Sequence, residues 1–224
     1  MKVVLTREAG MNDELRKWVP KRVTVLEVPL TTTSYRDESA FVAELKNLDS
    51  CGAFTGLVVT SARSARYVSP ALVNCSSDVK IYSVGSSTSR AITKTGNEVA
   101  AEASAMSSEL ASHIASGPVL IIGAKEMRHE LSDELNSKAV PTDRVWCYET
   151  VGAPLDQEQR DELSSADVVI IGAPSAWKVA KPYVRSDAWV IASGEITASE
   201  IRNDHNRVKI GWGKSLTPML EILR

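Results

Sequence analysis

The feature that most constrains the fold is a repeated unit: a short apolar run that ends in small residues and continues as a helix-like segment. One copy is KIYSVGSSTSR at Lys80–Arg90, where Gly85 lets the backbone turn and hydroxyl side chains can cap the following helix. Further copies are LVVTSARSAR at Leu57–Arg66, VLIIGAKEMRHEL at Val119–Leu131, DVVIIGAPSAWK at Asp167–Lys178 and WVIASGEITASEI at Trp189–Ile201. Continuous β-branched runs are typical of parallel strands that are covered on both faces. The repeat therefore predicts an α/β protein with parallel sheets.

The turns of the two halves resemble each other. GSSTS at Gly85–Ser89 and GEITA at Gly194–Ala198 share the pattern Gly-x-x-Thr, and each follows an apolar run. VVTSARSA at Val58–Ala65 and IIGAPSAW at Ile170–Trp177 occupy the preceding turn of each half. We therefore expect two related α/β domains, with ligands bound at the turns beyond the carboxyl ends of the strands.

The amino-terminal strands expected at Lys2–Thr6 and Val23–Val28 have no partners of their own, so one domain should be discontinuous. The expected organisation is a domain of residues 1–30 with 153–224, an inserted domain of residues 36–147, and a two-stranded linker of residues 31–35 and 148–152. The polar segment LTTTSYRDES, which has no apolar periodicity, contains the first of these crossings.

Other elements are expected from shorter patterns. Helices are expected over Glu8–Trp18, Glu38–Leu48 and Gln157–Leu163, and from Ser175, Thr197 and Thr217. Strands are expected over Gly56–Val59, Lys80–Val84, Glu98–Ala100, Val119–Ile122, Arg144–Tyr148, Val168–Ile171, Trp189–Ala192 and Arg207–Ile210.

Composition excludes several classes of function. The 224 residues are 43% apolar and carry a net charge of −2, with Lys and Arg spread along the chain, which argues against a nucleic-acid or membrane-surface binder. No apolar run approaches the roughly 20 residues of a membrane span, and no signal peptide is visible, so the cytoplasm is the expected compartment. The cysteines lack CxxC spacing and are expected to be free thiols: Cys51, Cys75 and Cys147.

The chain carries, in order, the motifs VVLTRE at the amino terminus, VVTSARSA, SVGSSTSRAI, VLIIGAKEMRHEL, VWCYETV, VIIGAPSAW, SGEITASEI and, at Ser215–Leu223, SLTPMLEIL. Through these motifs, which run along its whole length, the sequence resembles the uroporphyrinogen-III synthase family. The resemblance implies two α/β domains joined by a two-stranded linker, with a substrate cleft between them. It also implies a cofactor-free enzyme that closes the linear tetrapyrrole hydroxymethylbilane into uroporphyrinogen III and inverts the last ring. A monomer is the default expectation.

The resemblance singles out Tyr148, in Tyr148-Glu149-Thr150, as the residue that assists loss of the substrate hydroxyl. Hydroxyls, backbone N–H groups and cations at the turns are expected to anchor the substrate carboxylates. These candidate anchors are Thr60, Ser61, Arg63, Ser64, Gly85, Ser86, Ser87, Thr88, Gly123, Lys125, Pro174, Ser175 and Thr197. No metal site is expected, because the histidines His113, His129 and His205 are scattered.

The chain departs from the family pattern at two turns. Ala173 stands where many relatives have serine before Pro174-Ser175, which puts one hydroxyl anchor in doubt. The turn after Ile122 is one residue longer than expected before Arg128.

Other interpretations remain open from the sequence alone. In one, the serines and threonines of the turns serve only as helix caps, and Tyr148 is a packed strand residue. A non-catalytic hinge protein that binds a small anion would use the same turns. A nucleotide-dependent enzyme is disfavoured, because neither GxGxxG nor GxxxxGK[ST] follows any strand.

Overall fold

Two sheets dominated by parallel pairings organise the chain, in a computed structural model that describes residues 1–103 and 107–222. The chain divides into a discontinuous unit, Met1–Thr33 with Thr150–Arg224, and an inserted unit, Ser34–Glu149. Leu223, the last residue of the carboxyl-terminal family motif, lies outside the described residues. The predicted α/β class with parallel sheets is confirmed.

The elements are numbered in chain order. The strands are β1 (Lys2–Leu5), β2 (Thr24–Glu27), β3 (Thr31–Tyr35), β4 (Phe54–Val59), β5 (Cys75–Val84), β6 (Ala101–Ala103), β7 (Val119–Ala124), β8 (Thr142–Gly152), β9 (Val168–Ile171), β10 (Trp189–Ala192) and β11 (Val208–Ile210). The α-helices are α1 (Asp13–Arg16), α2 (Glu38–Lys46), α3 (Val68–Leu72), α4 (Ser86–Thr93), α5 (Ser107–His113), α6 (Glu130–Ser137), α7 (Gln157–Ser164), α8 (Pro174–Ala180), α9 (Glu195–Arg202) and α10 (Leu216–Ile222). Two 3₁₀ segments, Ala62–Tyr67 and Gly213–Ser215, precede α3 and α10.

The sheet of the discontinuous unit has the order β11-β10-β9-β1-β2. β1 lies between β9 and β2 and is parallel to both, so the first strand of the chain completes a sheet made mainly by its last third. Val4 packs with Trp177 on one face of this sheet, and Val3 and Leu5 pack with Leu216 on the other. Because both faces are covered, these strands read as continuous apolar runs.

The sheet of the inserted unit has the order β3-β8-β7-β4-β5-β6. β4 is parallel to both of its neighbours, β5 and β7. Leu57 and Phe41 pack on one face of this sheet, and Val58 packs with Leu135 on the other. The carboxyl ends of β4, β5 and β7 therefore lie side by side at one edge of a doubly covered sheet.

Several predicted bounds were wrong: β5 begins at Cys75 rather than Lys80, and β8 runs from Thr142 to Gly152 rather than from Arg144 to Tyr148. The helix predicted over Glu8–Trp18 is reduced to α1, because Gly10 has a φ of 78° and Glu8 binds the N–H and hydroxyl of Thr33 instead of continuing a helix. The strand predicted at Glu98–Ala100 starts at Ala101, after a turn at Gly96 with a φ of 84°.

The polar LTTTSYRDES segment contains β3, which has the same bounds as the first crossing expected from the sequence. Threonine fits a strand even without apolar alternation, because its branched side chain packs well on a pleated surface.

Candidate active site

The candidate site of the inserted unit is built from the turns that follow β4, β5 and β7. Val59, at the end of β4, pairs with Ser83 of β5 and with Ile122 of β7. The turns that carry the predicted anchors therefore begin at the same height along the three strands. The structure brings together Thr60, Gly85 and Gly123 at this edge.

Thr60 ties the first of these turns to β7. Its N–H and its Oγ1 both donate to the carbonyl oxygen of Ile122, at 3.1 and 3.2 Å. A Cβ added to Gly123 would lie 2.1 Å from Thr60 Oγ1, so only glycine permits this close approach. Gly123 therefore contributes by letting the turn after β4 approach β7 closely, not by a side-chain contact with a ligand.

Ser61 and Ser64 belong to the same turn but have different surroundings. Ser61 Oγ accepts the N–H of Arg63 at 3.3 Å and caps the 3₁₀ segment. Ser64 is fully buried beside Cys147 and does not face solvent. Burial raises the pKa of the Cys147 thiol to about 12, while the Ser64 hydroxyl opposes this shift, so Cys147 is a core thiol rather than a nucleophile.

Gly85 and α4 form the second turn. Gly85 has a φ of 81° and a ψ of 146°, and its N–H donates to the carbonyl oxygen of Ala103 at 2.7 Å. Ser86 and Ser87 are exposed in the first turn of α4, whereas Thr88 is buried and its N–H donates to Gly85 O at 2.9 Å. Among the described residues, no side chain caps the start of this eight-residue helix, so its first N–H groups lack a capping acceptor.

Tyr148 lies in the second half of β8 and is 6% exposed. The Arg63 guanidinium lies 5.7 Å from its ring centroid, and the Tyr35 ring lies 6.3 Å away at an angle of 54°. Within the described part of the chain, the phenolic oxygen of Tyr148 has no hydrogen-bond partner. The ring is held by its neighbours while the hydroxyl is left available to a ligand.

Lys125 follows β7 and is adjacent to Tyr148 through the backbone. The Lys125 N–H donates to Tyr148 O at 2.7 Å, and its Nζ pairs with Glu149 at 2.8 Å. Its side chain is half exposed, so the ammonium remains within reach of a ligand despite this pair.

The candidate site of the discontinuous unit follows β9 and β10, which pair at Ile171 and Ala192. Pro174 and Ser175 begin α8 and are partly buried, and Thr197 in the first turn of α9 is 5% exposed.

Sequence reasoning missed Ser193, which lies beside Thr197 in this second site. Its Oγ donates to Gly172 O at 2.8 Å and lies 3.5 Å from Thr197 Oγ1. Its signal was its position as the first residue after a buried strand, the position that Thr60 holds in the inserted unit.

The histidines, cysteines and acidic residues of the described chain form no group of three that could hold a metal ion. His205 is buried, and its Nε2 lies 2.9 Å from the carbonyl oxygen of Ala188. No helix in the described ranges has the length and apolar character needed to cross a membrane.

The chain is therefore a two-unit α/β protein in which polar turns follow the carboxyl ends of the strands. A family model described as uroporphyrinogen-III synthase HemD matches residues 21–210. The chain belongs to the uroporphyrinogen-III synthase family, as its motifs predicted, and is an enzyme with a cyclising role in haem biosynthesis.

Solved structures of this family share the fold. Uroporphyrinogen-III synthetase from Helicobacter pylori superposes with a TM-score of 0.63 at 19% identity, over 99% of this chain and 97% of that one. A mutant uroporphyrinogen III synthase from the extremely thermophilic bacterium Thermus thermophilus gives a TM-score of 0.55 at 14% identity, over 99% and 96%. No curated protein sequence matches the chain.

Proposed function

We propose that this enzyme converts hydroxymethylbilane to uroporphyrinogen III with inversion of the last pyrrole ring. Family membership over residues 21–210 supports the cyclisation. The inversion, the substrate contacts and the role of each residue are part of the proposal.

The proposed reaction begins when the lone pair of a pyrrole nitrogen expels the hydroxyl, which takes up a proton and leaves as water. The substituted α-carbon of the last ring attacks the resulting azafulvene cation and forms a spiro intermediate. That intermediate breaks the bond between the last ring and its neighbour, and the ring recloses through its other α-carbon, which then loses a proton. Since the cation would also close without inversion, the enzyme acts mainly by holding the chain in one geometry.

Tyr148 is proposed to donate a hydrogen bond to the departing hydroxyl. The observation that carries this role is its phenolic oxygen, which has no partner in the described part of the chain although the ring is almost fully buried. A neutral phenol can donate to a leaving oxygen without being ionised at working pH. Arg63, above the ring, adds positive charge near the carboxylates of the substrate.

The turns are proposed to anchor the substrate carboxylates. Ser86 and Ser87 are exposed at the start of α4, where N–H groups and the helix dipole favour an anion. Ser61 and Ser175 are partly buried at their turns and keep a hydroxyl hydrogen for a carboxylate, whereas the Thr60 hydroxyl donates to Ile122 O and holds its turn. The buried hydroxyls are assigned to shaping the turns rather than to direct binding: Ser64, Thr88 and Thr197.

The enzyme is further proposed to act in the cytoplasm as a monomer, without a cofactor and without nucleic acid. Among the described residues, the large exposed apolar side chains lie in separate segments of the chain, as with Val73 after α3 and Ile196 in α9. Sedimentation should give a single species of 24.3 kDa. A stable dimer would contradict the monomer assignment.

The direct test supplies freshly generated hydroxymethylbilane, oxidises the products and separates the type I and type III uroporphyrins. Type III should predominate in proportion to enzyme concentration. A mixture that stays at type I would reject the activity and favour the non-catalytic anion-binding protein.

A further inference from the structure

The inserted unit contains an open cavity of about 500 Å³ beside the loop that follows β7. Its volume is within the usual range of about 300–1,000 Å³ for small-ligand sites. Its lining is mainly basic, and Glu126 is its acidic member. The cationic, histidine and indole side chains of the lining are Lys125, Arg128, His129, Arg144 and Trp146.

Arg144 is held in place by the loop that forms the cavity. Its Nη2 donates to Met127 O at 2.7 Å and to Arg128 O at 3.4 Å, and its Nη1 contacts the ring of His129. These contacts close the loop, but the carbonyl acceptors carry no charge. Among the described residues, neither Arg144 nor Arg128 has a carboxylate partner. Within that part of the chain, the two guanidinium groups therefore line the cavity without forming an ion pair, although the Glu126 carboxylate lies in the same wall.

Trp146 contacts two further cations, Lys125, which lines the cavity, and Arg36, which is not among the lining residues. The Lys125 Nζ lies 5.3 Å from its ring centroid, and the Arg36 guanidinium lies 4.6 Å from it. Cation–π contacts of this kind restrain a cation without neutralising it. Lys125 forms an ion pair with Glu149, and Arg36 forms an ion pair with Glu44. Their carboxylate partners distinguish these two cations from Arg128 and Arg144.

The cavity adjoins the candidate active site through two contacts. The N–H of Lys125, a lining residue, donates to the carbonyl oxygen of Tyr148. A Cβ on Gly123 would lie 2.7 Å from Met127 Sδ and 2.1 Å from Thr60 Oγ1, so Met127 of the cavity loop lies beside the turn after β4. A ligand at that turn could extend an acidic arm into the cavity.

We propose that this cavity is a carboxylate subsite, in which Arg128 and Arg144 bind an acetate or propionate arm of the tetrapyrrole. The inference rests on the proposed function for the identity of the ligand. The planar guanidinium fork of Arg128 matches a carboxylate and makes charge-assisted hydrogen bonds, while Arg144, whose Nη2 is bound to the loop carbonyls, adds positive charge at the same cavity. The sequence does not reveal the site, because Arg128 and Arg144 lie in separate elements and only the fold places them at one cavity.

The test measures equilibrium binding of uroporphyrin III, the stable oxidised product, together with steady-state kinetics on hydroxymethylbilane. Arg128→Ala should raise the Kd for uroporphyrin III and the KM for the bilane by about tenfold, as expected for loss of a charge-assisted contact. The kcat should change less than about twofold, because the arm is bound equally in the ground and transition states. Arg128→Lys should recover part of the loss.

Lys46→Ala is the matched control. It removes the same charge from an exposed position at the end of α2 and should leave the Kd and KM unchanged. If Arg128→Ala binds uroporphyrin III like the wild type while type III product still forms, the subsite is rejected and the proposed function stands. If no type III forms but Arg128→Ala alone weakens uroporphyrin III binding, the subsite is supported and the proposed function fails.

Discussion

At the scale of single residues, the account depends on Tyr148 and on what surrounds it. The ring lies under Arg63 and beside Tyr35, while no described group takes up its hydroxyl. Nearby hydroxyls already have partners, such as Thr60 with Ile122 O and Ser61 with the Arg63 N–H. The Tyr148 hydroxyl is therefore uncommitted within the described residues, whereas the hydroxyls of Thr60 and Ser61 also hold their turns.

Tyr148→Phe removes the phenolic donor and keeps the ring. We expect kcat to fall roughly ten- to hundredfold, at or below the lower end of the usual general-acid contribution of about 10²–10⁴, because the pyrrole nitrogen itself expels the hydroxyl. The product should still be type III, since positioning is retained. Rapid-quench kinetics with isomer separation measure both effects.

The control for Tyr148→Phe is Tyr35→Phe, which removes the phenol of the adjacent, 44% exposed tyrosine. Its turnover should match the wild type. A Tyr148→Phe enzyme that also matches the wild type would remove the chemical role of Tyr148 and leave it as a packed strand residue.

At the scale of elements, the two Gly-x-x-Thr turns have similar sequences but different backbones. Gly85 has a φ of 81°, in a region that is essentially restricted to glycine, whereas Gly194 has an extended backbone with a φ of −173°. The turn before α4 therefore requires its glycine for conformation, and the turn before α9 does not.

Gly85→Ala should lower the free energy of unfolding by about 1–3 kcal/mol, the usual cost of a residue in such a strained conformation. Gly194→Ala should be close to neutral, because its added Cβ has nothing within 4 Å. Urea unfolding of both variants measures the difference. Equal losses would contradict this assignment of backbone strain.

Long apolar runs made most elements predictable. The predicted β9 and β10 agree with the structure at both ends, because consecutive buried residues mark each strand. β6 was misplaced because a short edge strand carries little apolar signal. The turn hydroxyls could be nominated from sequence, but burial decides their roles: Ser64 is buried and Ser86 is exposed, which the residue type alone does not reveal.

At the scale of the whole molecule, the chain leaves its discontinuous unit after Thr33 and returns to it after Glu149. The prediction of a discontinuous domain was argued from the isolated position of the amino-terminal strands. In the structure β1 pairs with β2 and also with β9. Val3 lies opposite Val168, although most of the chain separates these two residues in sequence. The basic cavity could not be predicted, because it depends on how the loop after β7 packs against β8.

The central claim is that this enzyme closes the bilane with inversion of its last ring. The most direct measurement uses hydroxymethylbilane labelled with ¹³C at the hydroxymethyl carbon and at the substituted α-carbon of the last ring. These carbons are not bonded in the substrate. The account predicts a new one-bond ¹³C–¹³C coupling in the enzymatic product, because inversion joins them. A product without that coupling would show closure through the free α-carbon and would contradict the account.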